Sequence, residues 1–529
     1  MNLLQESLQL FHFNFMKNKI KLLFYFNLIV FPIYGQFNPQ NDEITKKFFP
    51  DSQLEINTPA FTKKGFTNYD DMMLYLNKFV AEHPKEMSLS FIGESQKNKK
   101  IPMVVLNKDN GKEKIKVWFQ GGLHGDEPAG TETMLFLVDK ILNDPNYAYL
   151  LDKITLTIVP MANIDGYEKQ DRFAANGLDL NRDQVKLMAK ESNYLKKAFS
   201  DFGAEVAVDF HEYRPFRKEF NLLGTDGICS IYDAMFMYSG NLNLPQNLRD
   251  YTKNVFVGNA KKVLESNNFI FRDYIASVKQ NNEVHFNQCT TEARSSTTSY
   301  ALTNCISSLI EIRGVNLQKT SFKRRINSTF LIATSFLKTV FDDATNIKEV
   351  LQISNNAKPE NLVVIANKPQ ETQIIRAIDL KDNTEMALEV KVNNALKCTP
   401  VLERKRPVAY LILPEQKILA DKLIILGLKV EELADDKKIK VESYTVTSIR
   451  VNPDEEEGYN AQKAETSLSE IEKSFPKGTF IVYLNQKNAK IATEVLEPES
   501  ENGFIKFEVL KVINNKELPI YRYLTNEKI

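Results

Sequence analysis

Apolar and polar residues alternate with period two in several short runs, and with a helical period between them. In 115–120 (IKVWFQ), Ile115, Val117 and Phe119 alternate with Lys116, Trp118 and Gln120, which predicts a strand. Gly121 and Gly122 end it, and the run after Pro128 predicts a helix over 129–142. The same reading predicts a helix over 69–80, strands over 87–92, 102–106, 154–161, 205–210 and 305–312, and a closing helix over 323–341. Residues 162–167 (ANIDGY) have turn chemistry, and 251–269 reads as an amphipathic helix. Strands alternating with helices imply an α/β fold, a mostly parallel or mixed sheet flanked by helices. Past a boundary near 345–355, β-type runs at 361–366, 372–378, 387–392, 408–413, 441–446, 478–484 and 503–513 surround a helix beginning at 414. They predict a C-terminal mixed α/β or β-rich domain, with the charged loop PDEEEGYN inside it.

Length and composition fit this division. The 529 residues, 43% hydrophobic and 26% charged, are enough for two domains and a leader. The formal net charge is zero, without a basic block, which argues against a nucleic-acid partner. Lys17, Lys19 and Lys21 precede an apolar run over 22–35 that is shorter than the ~20 residues a spanning helix needs. This pattern is that of an export signal over 1–35, with Met16 an alternative start and the mature chain beginning near Gln36. The expected organisation is a linker or arm over 36–60, an α/β domain over 61–345 and an accessory domain over 346–529. The expected location is periplasmic or extracellular, without a membrane span in the mature chain. Cys229, Cys289, Cys305 and Cys398 show no C-x-x-C spacing, so they form no zinc knuckle. Export permits a disulfide, with Cys289–Cys305 the nearest pair, and buried free thiols are the alternative.

Candidate chemistry gathers around the first strand. His124 and Glu127, three residues apart on the loop after it, can reach one metal ion. A catalytic zinc site takes three protein ligands and keeps a position for water. Of the five histidines, His12 lies in the leader, His83 precedes Pro84 at a helix end, and His285 sits in a polar stretch. His211 ends the apolar run AEVAVDFH, so two strand ends present His/Glu and His.

Four segments, HGDE (124–127), RFAANGLDLNRD (172–183), VDFHEY (208–213) and LIEIRG (309–314), occur in an order that resembles the zinc carboxypeptidase family, the M14-type metallopeptidases. The resemblance covers roughly residues 60–340, although the family's usual Asn-Pro-Asp-Gly is here Asn163-Ile164-Asp165-Gly166. It implies one Zn2+ per chain held by His124, Glu127 and His211, with Asp179 behind a ligand. It also implies Glu311 as the general base and Arg172 as the stabiliser of the tetrahedral intermediate. Asn181 and Arg182 would grip the substrate's C-terminal carboxylate, and Tyr300 is the candidate for the tyrosine that covers the substrate. Arg313 is an extra cation that could read the substrate, and the serine- and threonine-rich stretch 290–299 is a candidate specificity loop in which Glu292 and Arg294 pull in opposite directions. The expected activity is that of an exported metallocarboxypeptidase acting on peptides with a free C-terminal carboxylate.

Three other readings use the same residues. An amidase or peptidase of cell-wall peptides needs the same zinc site. A non-catalytic peptide-binding protein would have lost a ligand or Glu311, and neither is lost. A structural surface protein would work through the C-terminal domain, for which a structural or substrate-restricting role is the simplest expectation.

Overall fold

Eight strands form the central sheet of the computed structural model, which describes residues 40–451 and 461–529. The expected export signal and the whole PDEEEGYN loop lie outside the described residues. Along the chain the first strands are β1 (Met87–Glu94), β2 (Lys100–Leu106), β3 (Ile115–Gly121), β4 (Ile154–Val159), β5 (Val206–Tyr213) and β6 (Ile228–Ser230). Then come β7 (Ala234–Met237), β8 (Phe271–Asp273), β9 (Ile275–Gln280), β10 (Glu283–Gln288) and β11 (Ile306–Arg313). The central sheet runs in the order β1-β2-β4-β3-β5-β11-β7-β8. Its middle is parallel, β4 with β3, β3 with β5 and β5 with β11. β1 pairs antiparallel with β2, β2 with β4 and β7 with β11, while β8 runs parallel to β7, so the sheet is mixed, as expected.

The middle strands are buried because helices cover both faces. Helices Pro128–Asn143 and Phe322–Asp342 share one face, where the rings of Phe136 and Phe330 lie 4.9 Å apart. Helix Lys190–Phe202 covers the other and sets Phe199 edge-on to Trp118 at 5.6 Å. Trp118, grouped with the polar positions of its strand, is therefore a core residue.

Several expected elements differ. The turn at 162–167 is a short helix, Ile164–Lys169, capped by the Asn163 side chain. Residues 251–269 open with a π-helical turn, Thr252–Val257, before the α-helix Gly258–Ser266. Residues 503–513 form no strand; Phe504, Ile505, Phe507 and Leu510 are buried from irregular backbone. The strands of that region are Gln462–Phe475 and Glu517–Tyr523, whose polar alternation was too weak to read. Residues 40–60 pack closely on the sheet: helix Asp42–Phe48 buries Ile44, and Gln40 bonds Ser321 at 3.1 Å.

A second sheet joins the two halves of the chain. It runs β6, Gln370–Asp379, Thr384–Asn394, β10, β9. The chain beyond 345 thus first completes a sheet begun before it. A six-stranded sheet follows, with helices Lys417–Ile425 and Ala489–Leu496 in its core. That core is continuous with Val185, Leu187 and Leu302 of the first half. No described helix is long and apolar enough to cross a membrane.

One buried ion pair fixes the helix that starts beside His124. Glu212 of β5 accepts from the Ala129 amide at 2.9 Å, in the first turn of Pro128–Asn143, and its other oxygen accepts from Arg325 Nε at 2.7 Å. An unpaired buried carboxylate is costly. Arg325→Met is therefore expected to lower unfolding stability by about 3–5 kcal/mol, measured by denaturant titration. Adding Glu212→Gln should recover part of the loss; no recovery would show that the pair is not the cause.

Candidate active site

The loop between β3 and its helix owes its shape to two glycines. Gly122 has φ +64°, a left-handed conformation that side chains resist. A Cβ on Gly125 would lie 2.1 Å from the Gly166 carbonyl carbon, so the loop presses directly on the Ile164–Lys169 turn. Asn163 locks that turn by donating its amide to the Gly122 carbonyl at 2.8 Å, and its side-chain oxygen accepts from the Gly166 amide at 3.1 Å. The Asn, Asp and Gly chemistry thus holds without the family's proline.

This loop and β5 bring His124, Glu127 and His211 together, with one ligating atom from each inside 4.8 Å. His124 Nδ1 lies 2.8 Å from one Glu127 oxygen and His211 Nδ1 lies 2.8 Å from the other. The far nitrogens are committed elsewhere: His124 Nε2 to Asp179 at 3.0 Å and His211 Nε2 to Asp209 at 2.9 Å. A neutral imidazole that donates from Nε2 has a lone pair on Nδ1. Here the two Nδ1 atoms face each other at 3.0 Å, with a carboxylate against both. Such an arrangement repels itself unless a proton or a cation sits among the three groups. Two imidazoles and one carboxylate, each imidazole backed by a carboxylate, are a donor set that fits zinc.

The charges follow from this crowding. Burial disfavours a proton on His211, but Asp209 and Glu127 outweigh it and push the imidazole well above its ordinary value. Burial and Arg172 work against His124, but Glu127 and Asp179 raise it too. Burial would raise Glu127, yet the two histidines hold it below the usual carboxylate range. Asp179 accepts from the Asn181 amide at 2.8 Å and from Arg172 Nη2 at 2.7 Å. Despite burial, His124 and Arg172 keep its carboxyl well below the ordinary range. The third guanidinium nitrogen, Nη1, lies 3.1 Å from His124 Nδ1, so Arg172 borders the cluster.

Glu311 stands beside this cluster through strand register. It pairs with His211 on β5 and with Met235 on β7, and opposite residues on neighbouring strands share a face. It is 9% exposed and makes no side-chain hydrogen bond among the described residues. Burial, then the charge of Glu127, raises its pKa.

Residues 72–219 match the zinc carboxypeptidase family, Peptidase_M14. Carboxypeptidase 2 of Trichophyton rubrum is 29% identical over 499 residues, 88% of this chain and 90% of its own. Residues 72–219 thus carry a zinc carboxypeptidase domain. Carboxypeptidase 2 of Trichophyton tonsurans is 28% identical over 440 residues, 81% of each chain. Among solved structures, a metallo-carboxypeptidase from Burkholderia cenocepacia aligns with 52% of this chain and 70% of its own at 16% identity, with a TM-score of 0.41.

The remaining candidates are positioned as follows. The side-chain oxygen of Asn181 accepts from the Ser296 amide at 2.8 Å, and Arg182 Nη1 donates to the Asn181 carbonyl at 2.9 Å. Tyr300 does not line the site. It is buried, stacked on Phe199 at 4.1 Å, and its hydroxyl bonds Gln120 at 3.2 Å inside the core. Gln120 pairs with Asp209, so Tyr300 sits on the same face as His211 but deep under helix Lys190–Phe202, buried in the core instead of over the site. Arg313 is buried too, with Gln40 at 2.8 Å and the Phe49 ring at 4.0 Å. Glu292 and Arg294 pair with each other at 2.8 Å, so neither offers an uncompensated charge. The four cysteines are all free thiols.

Two residues of the site were missed. Asp209 shares the face of β5 with His211, two positions away, so the D-x-H spacing was a usable signal. Tyr274 lies between β8 and β9; burial and then Glu311 push its hydroxyl up to about 12, and the charges of Arg182 and Arg172 reach it. Nothing local in the sequence marks it, because only the sheet order brings β8 near β11.

These contacts set an expected outcome for metal binding. Asp209→Asn should weaken affinity about 10–100-fold at unchanged stoichiometry, measured by chelator competition. Because His124 and His211 hold protons to higher pH than free imidazole, binding should expel protons and weaken as pH falls. Binding without proton release in two different buffers would contradict this.

Proposed function

We propose that the chain is an exported zinc metallocarboxypeptidase that removes single residues from peptides with a free C-terminal carboxylate. The observation that carries this reading is the register of Glu311 with His211 on adjacent strands, with Arg172 against the same cluster. His124, Glu127 and His211 would hold one Zn2+, which when bound supplies a Lewis acid and lowers the pKa of water. The basic and apolar leader over 17–35 supports export, to the periplasm or beyond the cell.

The chain's own residues supply the remaining chemistry. Glu311, a carboxylate without a hydrogen-bond partner of its own among the described residues, accepts a proton from the attacking water. It then donates that proton to the departing amine nitrogen, which leaves when the C–N bond breaks. Arg172, fixed at two nitrogens by Asp179, directs the third towards the charge that develops on the carbonyl oxygen. Arg182 and the Asn181 amide nitrogen are the donors for the substrate's terminal carboxylate, since the Asn181 oxygen is already held by Ser296. Tyr274 takes the covering role first given to Tyr300. The wall beside Met235 and Tyr274 opens into a cavity lined largely by apolar and aromatic groups, among them Phe220, Ile228, Phe286 and Ile375. The same lining carries Arg214, Arg217 and Arg376 and no acidic side chain, so a basic terminal residue would meet like charge there.

The test is a defined peptide mixture incubated with the full chain, with and without a zinc chelator, followed by mass spectrometry. Chelator-sensitive loss of single C-terminal residues is expected, with aromatic and aliphatic termini released at least about tenfold faster than Lys or Arg. Glu311→Gln should lower kcat by about 10²–10⁴ while zinc stays bound. Full turnover by that variant, or internal cleavage instead of stepwise trimming, would overturn the proposal.

A further inference from the structure

A second polar cavity lies away from the zinc-type cluster, where the first half of the chain meets the C-terminal sheet. Its volume is about 480 Å³, within the range of small-molecule sites. Its walls come from 242–249, 355–362, Arg406 and 484–493. Four cations line it, Arg249, Lys358, Arg406 and Lys490, and the lining contains no Asp or Glu. Its apolar lining includes the buried Leu244, Leu362, Leu484 and Ala489.

The cations are poorly compensated. Arg249 Nε is buried without a hydrogen-bond partner among the described residues. Its terminal Nη2 reaches Gln246, a neutral amide. Arg406 uses Nη2 on the Leu484 carbonyl, again neutral. Lys490 makes no hydrogen bond or ion pair among the described residues, and burial and then the charge of Arg406 lower its ammonium to about 8. Asp250 is the acid whose charge reaches Arg249, and it is exposed and already bonded by Gln246 at 2.7 Å. Glu494, a buried carboxylate one residue beyond Thr493 of the lining, is held by three amides, those of Asn241, Asn243 and Asn502, at 2.8–2.9 Å. Gathering like charges over an apolar floor is unfavourable unless a counter-charge occupies the space between them.

We propose that this cavity binds a small organic anion, with its carboxylate or phosphate group between Arg249, Arg406 and Lys490 and its apolar part on the leucine floor. Arginine forks suit both groups, and both offer several acceptor oxygens to converging donors. The site is separate from the substrate carboxylate grip at Asn181 and Arg182, and its existence does not depend on the catalytic reading. It spans both halves of the chain, so an occupant would tie the C-terminal sheet to the segment 242–249.

The test is isothermal titration of the full zinc-loaded chain with inorganic phosphate and with succinate, at matched ionic strength in a chloride background. The two probes distinguish a phosphate from a dicarboxylate preference. Saturable binding of at least one probe is expected. Lys490→Met and Arg249→Met should each weaken it about tenfold or more, the effect of losing one charged hydrogen bond. Arg182→Gln should leave it unchanged. Both cavity variants remove an uncompensated charge, so their melting temperatures without probe should equal or exceed that of the parent chain. No saturable binding of either probe would overturn the proposal. So would binding that Arg182→Gln abolishes and Lys490→Met does not, because the anion would then sit in the peptide site.

Discussion

Two imidazole nitrogens that face each other at 3.0 Å, with a carboxylate against both, are the constraint on which the site depends. Neither histidine is free to turn away, because Asp179 holds the far side of one and Asp209 the far side of the other. The chain thus stores a cluster of electron pairs that only a proton or a metal ion relieves. The sheet makes this possible: β3 and β11 both flank β5, so their carboxyl ends deliver the loop, His211 and Glu311 to one place. Ligands of open α/β sheets bind outside those strand ends for the same reason.

Charge is layered outward from that point. Asp179 serves His124, the Arg172 guanidinium and the Asn181 amide at once, so the proposed metal ligand, oxyanion stabiliser and carboxylate grip share one anchor. Glu212, one residue beyond His211, faces Arg325 and the first turn of the helix that follows Glu127. Behind the grip, Lys422 of the C-terminal half donates to the carbonyls of Lys186 and Leu187 at 2.6 and 2.8 Å. The segment just after Arg182 is therefore held from the C-terminal side.

Legibility in the sequence followed the range of the interactions. The β3 strand, its glycine stop and the His124/Glu127 loop are local, and period two and turn chemistry were sufficient to read them. The position of Glu311 near the end of an apolar strand was legible from the run CISSLIEI, and its register with His211 was not. Tyr300 lies elsewhere than expected because nearness in sequence to Glu311 says nothing of depth in the fold; Phe199 and Gln120 hold it in the core. Tyr274 could not be found without the order β11-β7-β8. The sheet shared across residue 345 escaped for the same cause: β10 is polar and short, and its pairing with Thr384–Asn394 is a contact between distant parts of the chain. The strand expected at 503–513 fails because its apolar residues fill the C-terminal core without needing a ladder.

The most direct measurement of the central claim is anomalous X-ray diffraction at the zinc edge from crystals of the zinc-loaded chain. The account predicts one strong peak at bonding distance from the Nδ1 atoms of His124 and His211 and from the Glu127 carboxylate, with both Nε2 atoms still on Asp179 and Asp209. A peak bonded to either Nε2, or zinc bound elsewhere while this cluster holds only protons, would contradict it.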